Sequence, residues 1–454
     1  MKIRYSLSIL IILFGFSAYT QEIYTLKDLL TIALQRAETI NITREDELIS
    51  KFSKTKALST LIPDLSLYGN RRQYTEEKKS ETNINFPGLL GEFLPPIKTD
   101  NIVQPKSSSS WGARLDQSYS LGGREFIGVS IANENLKRSK YEVERVSEDY
   151  LMEVSNAYFA VLRAQRGVDI AKANKIRLKT HRDSSEKRYI VGKDTKTILL
   201  RAEAELSSSE ADLIRAENDL KFAKIYLARL VGIGLDYDIN EVEVDKPVAD
   251  NLDAILTDAY GNRPEIKQAE LDKVIFDKQI KYARSAFFPD VGVEGVYQRN
   301  DLNPDRAMTG IEARENIYLG LSMTLPVFEG GFRRADVAQA KAQRRQAALS
   351  YFDTKKTITV EVKNAYLDYI TESRNLKSYQ DQLVFAEDNY KLVSRQFDVG
   401  LASSVDYIDA NTLFLTSERQ VSEAYYNYQL AIVRLKKAMG KLLSDYGLQQ
   451  KGLY

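Results

Sequence analysis

The chain has 454 residues but only 23 Gly and 10 Pro, so breaks are scarce and long helices are expected. Lys and Arg total 64 against 63 Asp and Glu, and no basic stripe carries interleaved aromatic residues, so nucleic acid is not an expected partner. Cysteine is absent, which excludes disulfides, thiolate metal sites and lipid attachment through an N-terminal cysteine. Only one apolar stretch approaches the length of a spanning helix, which excludes a polytopic helical membrane protein.

That apolar stretch lies at the start of the chain. Lys2 and Arg4 precede an apolar run from Leu7 to Phe16, and small residues follow at Ser17 and Ala18. This order is typical of a secretory signal, so we expect residues 1–20 to be removed on export. Cleavage after Ser17 or after Thr20 is equally compatible with the pattern, and an uncleaved anchor is the alternative.

The chain contains an internal repeat. "EVSNAYFAVL" from Glu153 faces "EVKNAYLDYI" from Glu361, an offset of 208 (361 minus 153), and Gly192 faces Gly400 at the same offset. Upstream, "STLIPDLSLYG" from Ser59 faces "SAFFPDVGVEG" from Ser285 at an offset of 226 (285 minus 59). Gly122-Gly123 aligns with Gly330-Gly331 at 208 again, so the extra 18 residues (226 minus 208) must lie between Pro63 and Gly122. We predict a loop there in residues 73–110, which are rich in Pro, Ser and charge.

The repeat predicts a duplicated unit. Residues 1–20 are the signal, 21–232 the first copy, 233–251 an equatorial linker, 252–440 the second copy and 441–454 a tail. Each copy reads as an ascending helix, a strand, a loop, a second strand, a long helix, a glycine break and a return helix. The return helices carry apolar and small residues at heptad spacing. Gly192 and Gly400 allow the left-handed turn that ends each long helix, so they mark its far tip.

Strands are predicted at about 63–72, 111–121, 289–299 and 316–326, and helices elsewhere in the two copies. Their apolar and polar residues alternate, and their lengths suit tilted strands that cross a membrane with one lipid face and one water face. Four strands cannot close a barrel, and an open edge in lipid leaves backbone groups without partners, so several copies must share one barrel. A small soluble sheet capping a helical stalk is the alternative.

These features resemble the TolC-like outer-membrane efflux protein family. The resemblance rests on the duplicated unit, the Pro-Asp strand starts at Pro63 and Pro289 and the Val-Gly tips; it also rests on the strand-to-helix turns at Gly122, Gly123, Gly330 and Gly331. It implies a mostly helical fold with strands, in which a homotrimer forms a twelve-strand barrel in the outer membrane and a twelve-helix barrel across the periplasm. The implied partners are outer-membrane lipid, a periplasmic adaptor and an inner-membrane transporter.

The resemblance also implies site residues. Asp406 and Asp409 match two carboxylates that line the narrow periplasmic mouth in the family, where six acids of a trimer would repel one another and attract cations. The alternative is that they are ordinary first-turn acids, with Ser403 as the helix cap. By the same resemblance, we expect the adaptor to contact the tips at Val191, Gly192, Val399 and Gly400.

The closing network known in the family uses a Tyr and an Arg near the second tip and a Thr-Asp pair at the first. The matching positions here are Phe397, Ala402, Thr197 and Ile198. Only the Thr remains, so we expect that lock to be absent and the closed state to be held in another way.

No catalytic pattern is present, so we predict neither an enzyme nor a cofactor or metal site. The sole histidine, His181, is expected to be a plain surface or packing residue, and the Gly-Gly pairs lack the Lys-Ser/Thr of a phosphate loop. The predicted function is an outer-membrane exit duct for efflux or for type I secretion, which the sequence does not separate. A secreted coiled-coil structural or adhesive protein is the alternative.

Overall fold

The computed structural model describes residues 22–85, 87, 88, 93, 97–245, 251–303 and 314–448. The predicted signal segment and the last six residues of the predicted tail lie outside this part of the chain. The expectation of a mostly helical chain with some strands is confirmed.

The helices are α1 (Leu26–Arg36), α2 (Glu38–Ser59), α3 (Arg124–Ile190), α4 (Lys196–Val231), α5 (Leu252–Asn262), α6 (Pro264–Ser285), α7 (Phe332–Val399), α8 (Ser404–Ala438) and α9 (Leu442–Asp445). The strands are β1 (Glu22–Tyr24), β2 (Asp64–Gln73), β3 (Lys78–Ile84), β4 (Ile97–Gln104), β5 (Ser107–Ser120), β6 (Tyr237–Ile239), β7 (Asp290–Asn303) and β8 (Glu315–Thr324). The long helices α3 and α7 have 67 and 68 residues without interruption.

The chain divides into two compact units. The first contains the described residues within 1–42, 144–263 and 357–454, and the second contains those within 43–143 and 264–356. Within the described residues, no helix has a stretch both long and apolar enough to cross a membrane.

The core of the first unit is built from α1, α3, α4, α8 and α9. Leu29, Leu30, Tyr158, Leu227 and Ile432 are fully buried there. The parallel pair β1 and β6 lies beside this core, where Glu22 pairs with Tyr237 and Tyr24 with Ile239. The Tyr158 hydroxyl donates to the carbonyl of Asn240 at 2.6 Å, which fastens the chain after β6 to α3.

The second unit contains a four-stranded antiparallel sheet in the order β2-β5-β7-β8. Leu67 pairs with Ala113, Ala113 with Tyr297 and Tyr297 with Ile317, so these side chains share one face. On the same face Leu67, Ile317, Leu319 and Leu321 are each more than three-quarters exposed. The opposite face carries polar side chains, and Arg114 there pairs with Asp116 at 2.9 Å and with Glu294 at 2.8 Å.

Strands that the sequence did not predict are present in two places. Residues 73–110, between the first two predicted strands, were predicted to be a loop, but β3 and β4 form an antiparallel ribbon inside this segment. The two short strands β1 and β6 also lie where helix or linker was expected. Register between distant segments depends on hydrogen bonds that short-range patterns do not encode.

Each predicted ascending helix is broken in two. The first breaks at Ala37 and the second at Arg263, which are equivalent at the offset of 226 (263 minus 37). Both residues leave the helical conformation, with ψ of 121° and 122°, while their N–H groups still close the preceding turn onto Ala33 and Ala259. Pro264 accounts for the second break because the residue before a proline is disfavoured in the α region. Glu38 occupies the matching position in the first copy, so that break has no local signal.

Candidate functional site at the hairpin tips

The two hairpin tips have the same backbone geometry. Gly192 and Gly400 have φ of 75° and 86°, in the left-handed region. Lys193 N donates to Arg188 O at 2.8 Å, and Leu401 N donates to Gln396 O at 2.7 Å, which are equivalent bonds at the offset of 208. This is the Schellman pattern that ends a helix on a glycine. The sequence-predicted turn residues therefore lie at the ends of α3 and α7.

Apolar side chains surround both glycines. Val191 is 66% exposed and Val399 is 72% exposed. Ile190 and Leu401 are also largely exposed. Each tip thus presents largely exposed aliphatic side chains, which is the arrangement of a contact surface.

Asp406 lies in the first turn of α8 and caps it together with Ser403. The Ser403 hydroxyl and N–H both donate to the Asp406 carboxylate, at 2.7 and 2.9 Å, and Asp406 N–H donates back to the Ser403 oxygen at 3.2 Å. This reciprocal arrangement is a capping box. The hydrogen bonds from Ser403 hold the pKa of Asp406 below its usual value. Asp406 therefore has the helix-capping role that was the alternative to a role in the gate.

Asp409 lies three residues further along and is also exposed, so both carboxylates share one face of α8. The matching residues of the first copy are Ile198 and Arg201. The N-cap there, Thr195, makes no side-chain cap bond. The pair of carboxylates is a property of the second tip alone.

A buried aromatic cluster lies behind the tips. The His181 ring is 2% exposed and stacks on Tyr407, with centroids 4.2 Å apart and planes inclined by 7°. Its Nε2 lies 3.0 Å from the Ser404 hydroxyl. Phe397 lies against the same ring at 4.8 Å. Burial lowers the pKa of His181 to about 4, so the ring is neutral near pH 7.

Tyr407 extends this cluster toward α7. Its hydroxyl lies 2.9 Å from the Tyr390 hydroxyl and donates to the carbonyl of Arg177 at 3.2 Å. Burial raises the pKa of Tyr407 above its ordinary value. The cluster therefore joins α3, α7 and α8 through one set of packed rings.

A polar chain runs beside the rings. Arg177 of α3 donates to Glu418 at 2.8 Å and to Asn411 at 3.0 Å, and Asn411 donates to Asn174 at 2.9 Å. The Arg177 guanidinium also covers the Phe414 ring at 4.7 Å. Since α3 belongs to the first copy and α8 to the second, these bonds tie the two copies together.

Arg188 makes the outermost link between the tips. Its Nη1 donates to the carbonyl of Phe397 at 2.7 Å, and its Nε lies 2.9 Å from the carboxylate of Asp194, a side chain that is 8% exposed. Sequence reasoning did not single out Arg188, Asp194 or Arg177 and treated His181 as a plain residue. The heptad pattern gave no signal for them because their partners are more than 200 residues away or across the turn.

The positions of the family's closing network are also defined. Phe397 is buried against His181 and Tyr407, and Ala402 packs against the same cluster. Thr197 and Ile198 lie in the first turn of α4. Within the described part of the chain, no group of three or more His, Asp or Glu side chains is placed to hold a metal ion.

Similarity to known proteins agrees with this architecture. The model of the outer membrane efflux protein family matches residues 56–233 and 255–441, once in each copy. The outer membrane protein TolC of Vibrio cholerae is 23% identical over 346 residues, covering 74% of this chain and 78% of that protein. The alkaline protease secretion protein AprF of Pseudomonas aeruginosa is 21% identical over 301 residues, covering 65% of this chain and 62% of that protein.

A solved structure has the same fold. The outer membrane protein VceC of Vibrio cholerae superposes with a TM-score of 0.74 at 18% sequence identity, covering 91% of this chain and 96% of that one. The duplicated hairpins and the sheet thus define the class of outer-membrane channel proteins. This chain belongs to the outer membrane efflux protein family, and its resemblance to TolC-like proteins is confirmed.

Proposed function

We propose that three copies of this chain form the outer-membrane exit duct of a tripartite efflux or type I secretion system. In this proposal the sheets of the trimer close a twelve-strand barrel in the outer membrane, and the helices form a tunnel across the periplasm. The tips dock onto a periplasmic adaptor that links the duct to an inner-membrane transporter. Residues 1–20 are removed on export.

The observation that carries this proposal is the exposed apolar face of the four-stranded sheet. Leu67, Ile317, Leu319 and Leu321 expose large aliphatic surfaces, while Arg114 and its carboxylate partners lie on the other face. Alternation of this kind is expected of a wall between lipid and water. A soluble sheet would cover its apolar face instead.

The edges of the sheet favour a shared barrel. β2 and β8 are the outer strands of the order β2-β5-β7-β8, and every neighbouring pair is antiparallel. Because the four strands alternate in direction, β8 of one copy and β2 of the next are also antiparallel when the copies follow one another around a ring. Three copies supply twelve strands and leave no open edge.

Asp406 and Asp409 are proposed to line the narrow mouth of this duct and to favour cations. Their exposure on one face of α8 supports this role. The capping bond of Asp406 does not compete with it, because a carboxylate accepting hydrogen bonds from Ser403 keeps its negative charge. Val191, Gly192, Val399 and Gly400 are proposed as adaptor contacts.

Conductance in a planar bilayer tests the proposal. The purified protein should have the native mass of three chains and give small, cation-selective currents. The currents should grow and lose selectivity when Asp406 and Asp409 are both replaced by Ala. The Ser403→Ala variant is the matched control, since it weakens the same helix cap and leaves both carboxylates in place.

A protein of single-chain mass that conducts nothing, in the wild type and in the double variant, would contradict the proposal. That result would favour the secreted coiled-coil alternative. Equal loss of selectivity in Ser403→Ala and in the double variant would show that the cap, rather than the carboxylate charge, controls the mouth.

A further inference from the structure

The two hairpin tips are equivalent in fold but opposite in charge. Residues 179–201 of the first copy, here called the basic tip, hold seven Lys or Arg and three Asp or Glu, a net charge of +4 (7 minus 3) with His181 neutral. Residues 387–409 of the second copy, here called the acidic tip, hold two and five, a net charge of −3 (2 minus 5). The two segments match at the offset of 208.

The difference comes from substitutions at matched positions. Lys179 aligns with Glu387 and Arg201 with Asp409, and both pairs make the first tip more positive than the second. Asp183 aligns with Lys391, which is a reversal in the opposite direction and offsets one of them. Three further acids of the second copy align with uncharged residues of the first: Asp388 with Thr180, Asp398 with Ile190 and Asp406 with Ile198. The charge difference therefore extends over both helices of each hairpin.

Most of the basic tip's cations have no ion-pair partner among the residues that the structure describes. Lys179, Lys187, Lys193, Lys196 and Arg201 are exposed and unpaired, in a segment that the structure describes in full. The ion pairs that form there are those of Arg182 with Asp183 and Glu186, and of Arg188 with Asp194.

The acidic tip likewise has exposed carboxylates that are not paired with a cation. Asp388, Asp398 and Asp409 are exposed and pair with no cation of the described chain, within which the carboxylate of Asp406 bonds only to Ser403. Glu387 is paired with Lys391 at 2.7 Å. Each tip thus presents an excess of one sign that its own chain leaves unpaired, over residues that are all described.

We propose that the basic tip of one protomer binds the acidic tip of a second copy of this chain. This proposal rests on the homotrimer of the proposed function and deepens it. A patch that complements a different patch on an identical chain makes a head-to-tail contact, and such contacts close into a ring when the rotation permits. In a trimer the ring holds the tips together by alternating positive and negative surfaces.

The strength of such a ring suits a gate. Exposed ion pairs each contribute little and are screened by salt, so the ring closes the tips without locking them. Complementary charge also sets the register of neighbouring chains and opposes wrong pairings. The ring would thereby replace the closing network whose Tyr, Arg and Asp are missing at Phe397, Ala402 and Ile198.

A charge-swap experiment tests the proposal. The first variant carries Lys193→Glu and Lys196→Glu, the second carries Asp388→Lys and Asp398→Lys, and the third combines all four. Asp406 and Asp409 stay intact, so the proposed mouth acids are unchanged. The Lys196 and Asp398 changes place charges of favourable sign at helix ends, which protects the fold of α4 and α7.

Single-channel conductance is measured in a planar bilayer with purified protein and no adaptor. We expect a severalfold increase in each of the first two variants and a return toward the wild-type value in the combined variant. The control is Lys172→Glu with Lys221→Glu, which changes net charge by the same amount as the first variant at exposed helical positions outside the tip and should leave conductance near the wild-type value.

Two results would overturn the proposal. One is an unchanged conductance in both single-tip variants. The other is a combined variant that keeps the increase, because the tips would then face another partner such as the adaptor. Circular dichroism checks folding, and Gln and Asn versions of the same variants replace any that unfold, with a smaller increase expected. If the wild-type protein is not a trimer, that result contradicts the proposed function and not the charge pairing of the tips.

Discussion

Arg188 and Phe397 connect the ends of the two long helices. The Arg188 guanidinium donates to the Phe397 carbonyl at 2.7 Å, and its central carbon lies 4.9 Å from the Phe397 ring centroid. Gly192 and Gly400 follow these two residues within four positions. The contact therefore fixes the first tip against the second within one protomer, and movement of one tip is expected to carry the other.

Arg188→Ala should loosen both tips together. The substitution leaves the Asp194 carboxylate, 8% exposed, without its cation, and removing one partner of such a pair costs about 3 kcal/mol when the remaining charge is buried. Hydrogen exchange of the amides near Gly192 and Gly400 should speed up in parallel.

Arg182→Ala is the matched control for this variant. Arg182 lies on the same helix and pairs with Asp183 and Glu186, whose side chains are 43% and 48% exposed. Loss of such surface pairs costs about 0–1 kcal/mol. Equal exchange rates in the two variants would contradict a linking role for Arg188.

His181 should make the tips sensitive to acid. Its pKa is about 4 in the folded protein and about 6.5 in an unfolded chain, so the unfolded state binds more protons between these values. Stability of the tip region is therefore fully present above about pH 6.5 and is lost progressively as pH falls toward 4. Lowering the pKa from 6.5 to about 4 corresponds to a loss of folding free energy on the order of 3 kcal/mol at low pH.

The groups around the ring support this sign. His181 faces Ser404, Tyr407 and Phe397, with Arg188 opposing its protonation and Asp194 favouring it more weakly than burial disfavours it. A His181→Gln variant should lose less stability than the wild type between pH 7 and pH 4.5, as followed by hydrogen exchange at the tips. An identical pH dependence in both proteins would refute the assignment.

Replacing a tip glycine by alanine should lower the stability of the protein, whereas replacing a helical glycine by alanine should raise it. Gly192→Ala and Gly400→Ala each force an L-residue into the left-handed region, which costs roughly 1–2 kcal/mol, although no atom lies within 4 Å of the added carbon at Gly192. Gly167→Ala should instead stabilise α3 by about 0.5–1 kcal/mol, because the position is helical and open. Thermal midpoints of the three variants would decide, and a stabilised Gly192→Ala would be inconsistent with the turn geometry.

A charged substitution should destabilise the protein on the apolar face of the sheet but not on the polar face. Leu319 is 80% exposed on the apolar face, and Leu319→Arg should destabilise the membrane-inserted protein by about 2–4 kcal/mol. Asn316→Arg, on the polar face of the same strand, should have little effect. Urea unfolding from lipid vesicles measures both, and similar losses at the two positions would argue against lipid on the apolar face.

The sequence by itself determined the features that depend on local patterns. The long helices α3 and α7, the glycines that end them and the alternation of the four long strands follow from periodicity and backbone preference, which act over a few residues. The internal repeat also placed Gly192 and Gly400 at matched positions. Pro264 is a local signal for the break after Asn262, although one continuous helix was predicted there.

Only the tertiary structure decided the contacts between segments that are distant along the chain. The break at Ala37, the parallel pairing of β1 with β6 and the ribbon of β3 and β4 have no local signal that distinguishes them from helix or loop. The burial of His181 depends on Ser404 and Tyr407, more than 220 residues away. Such positions are selected by packing and by the cost of leaving a buried polar group without a partner, which are properties of the folded chain and not of its neighbours in sequence.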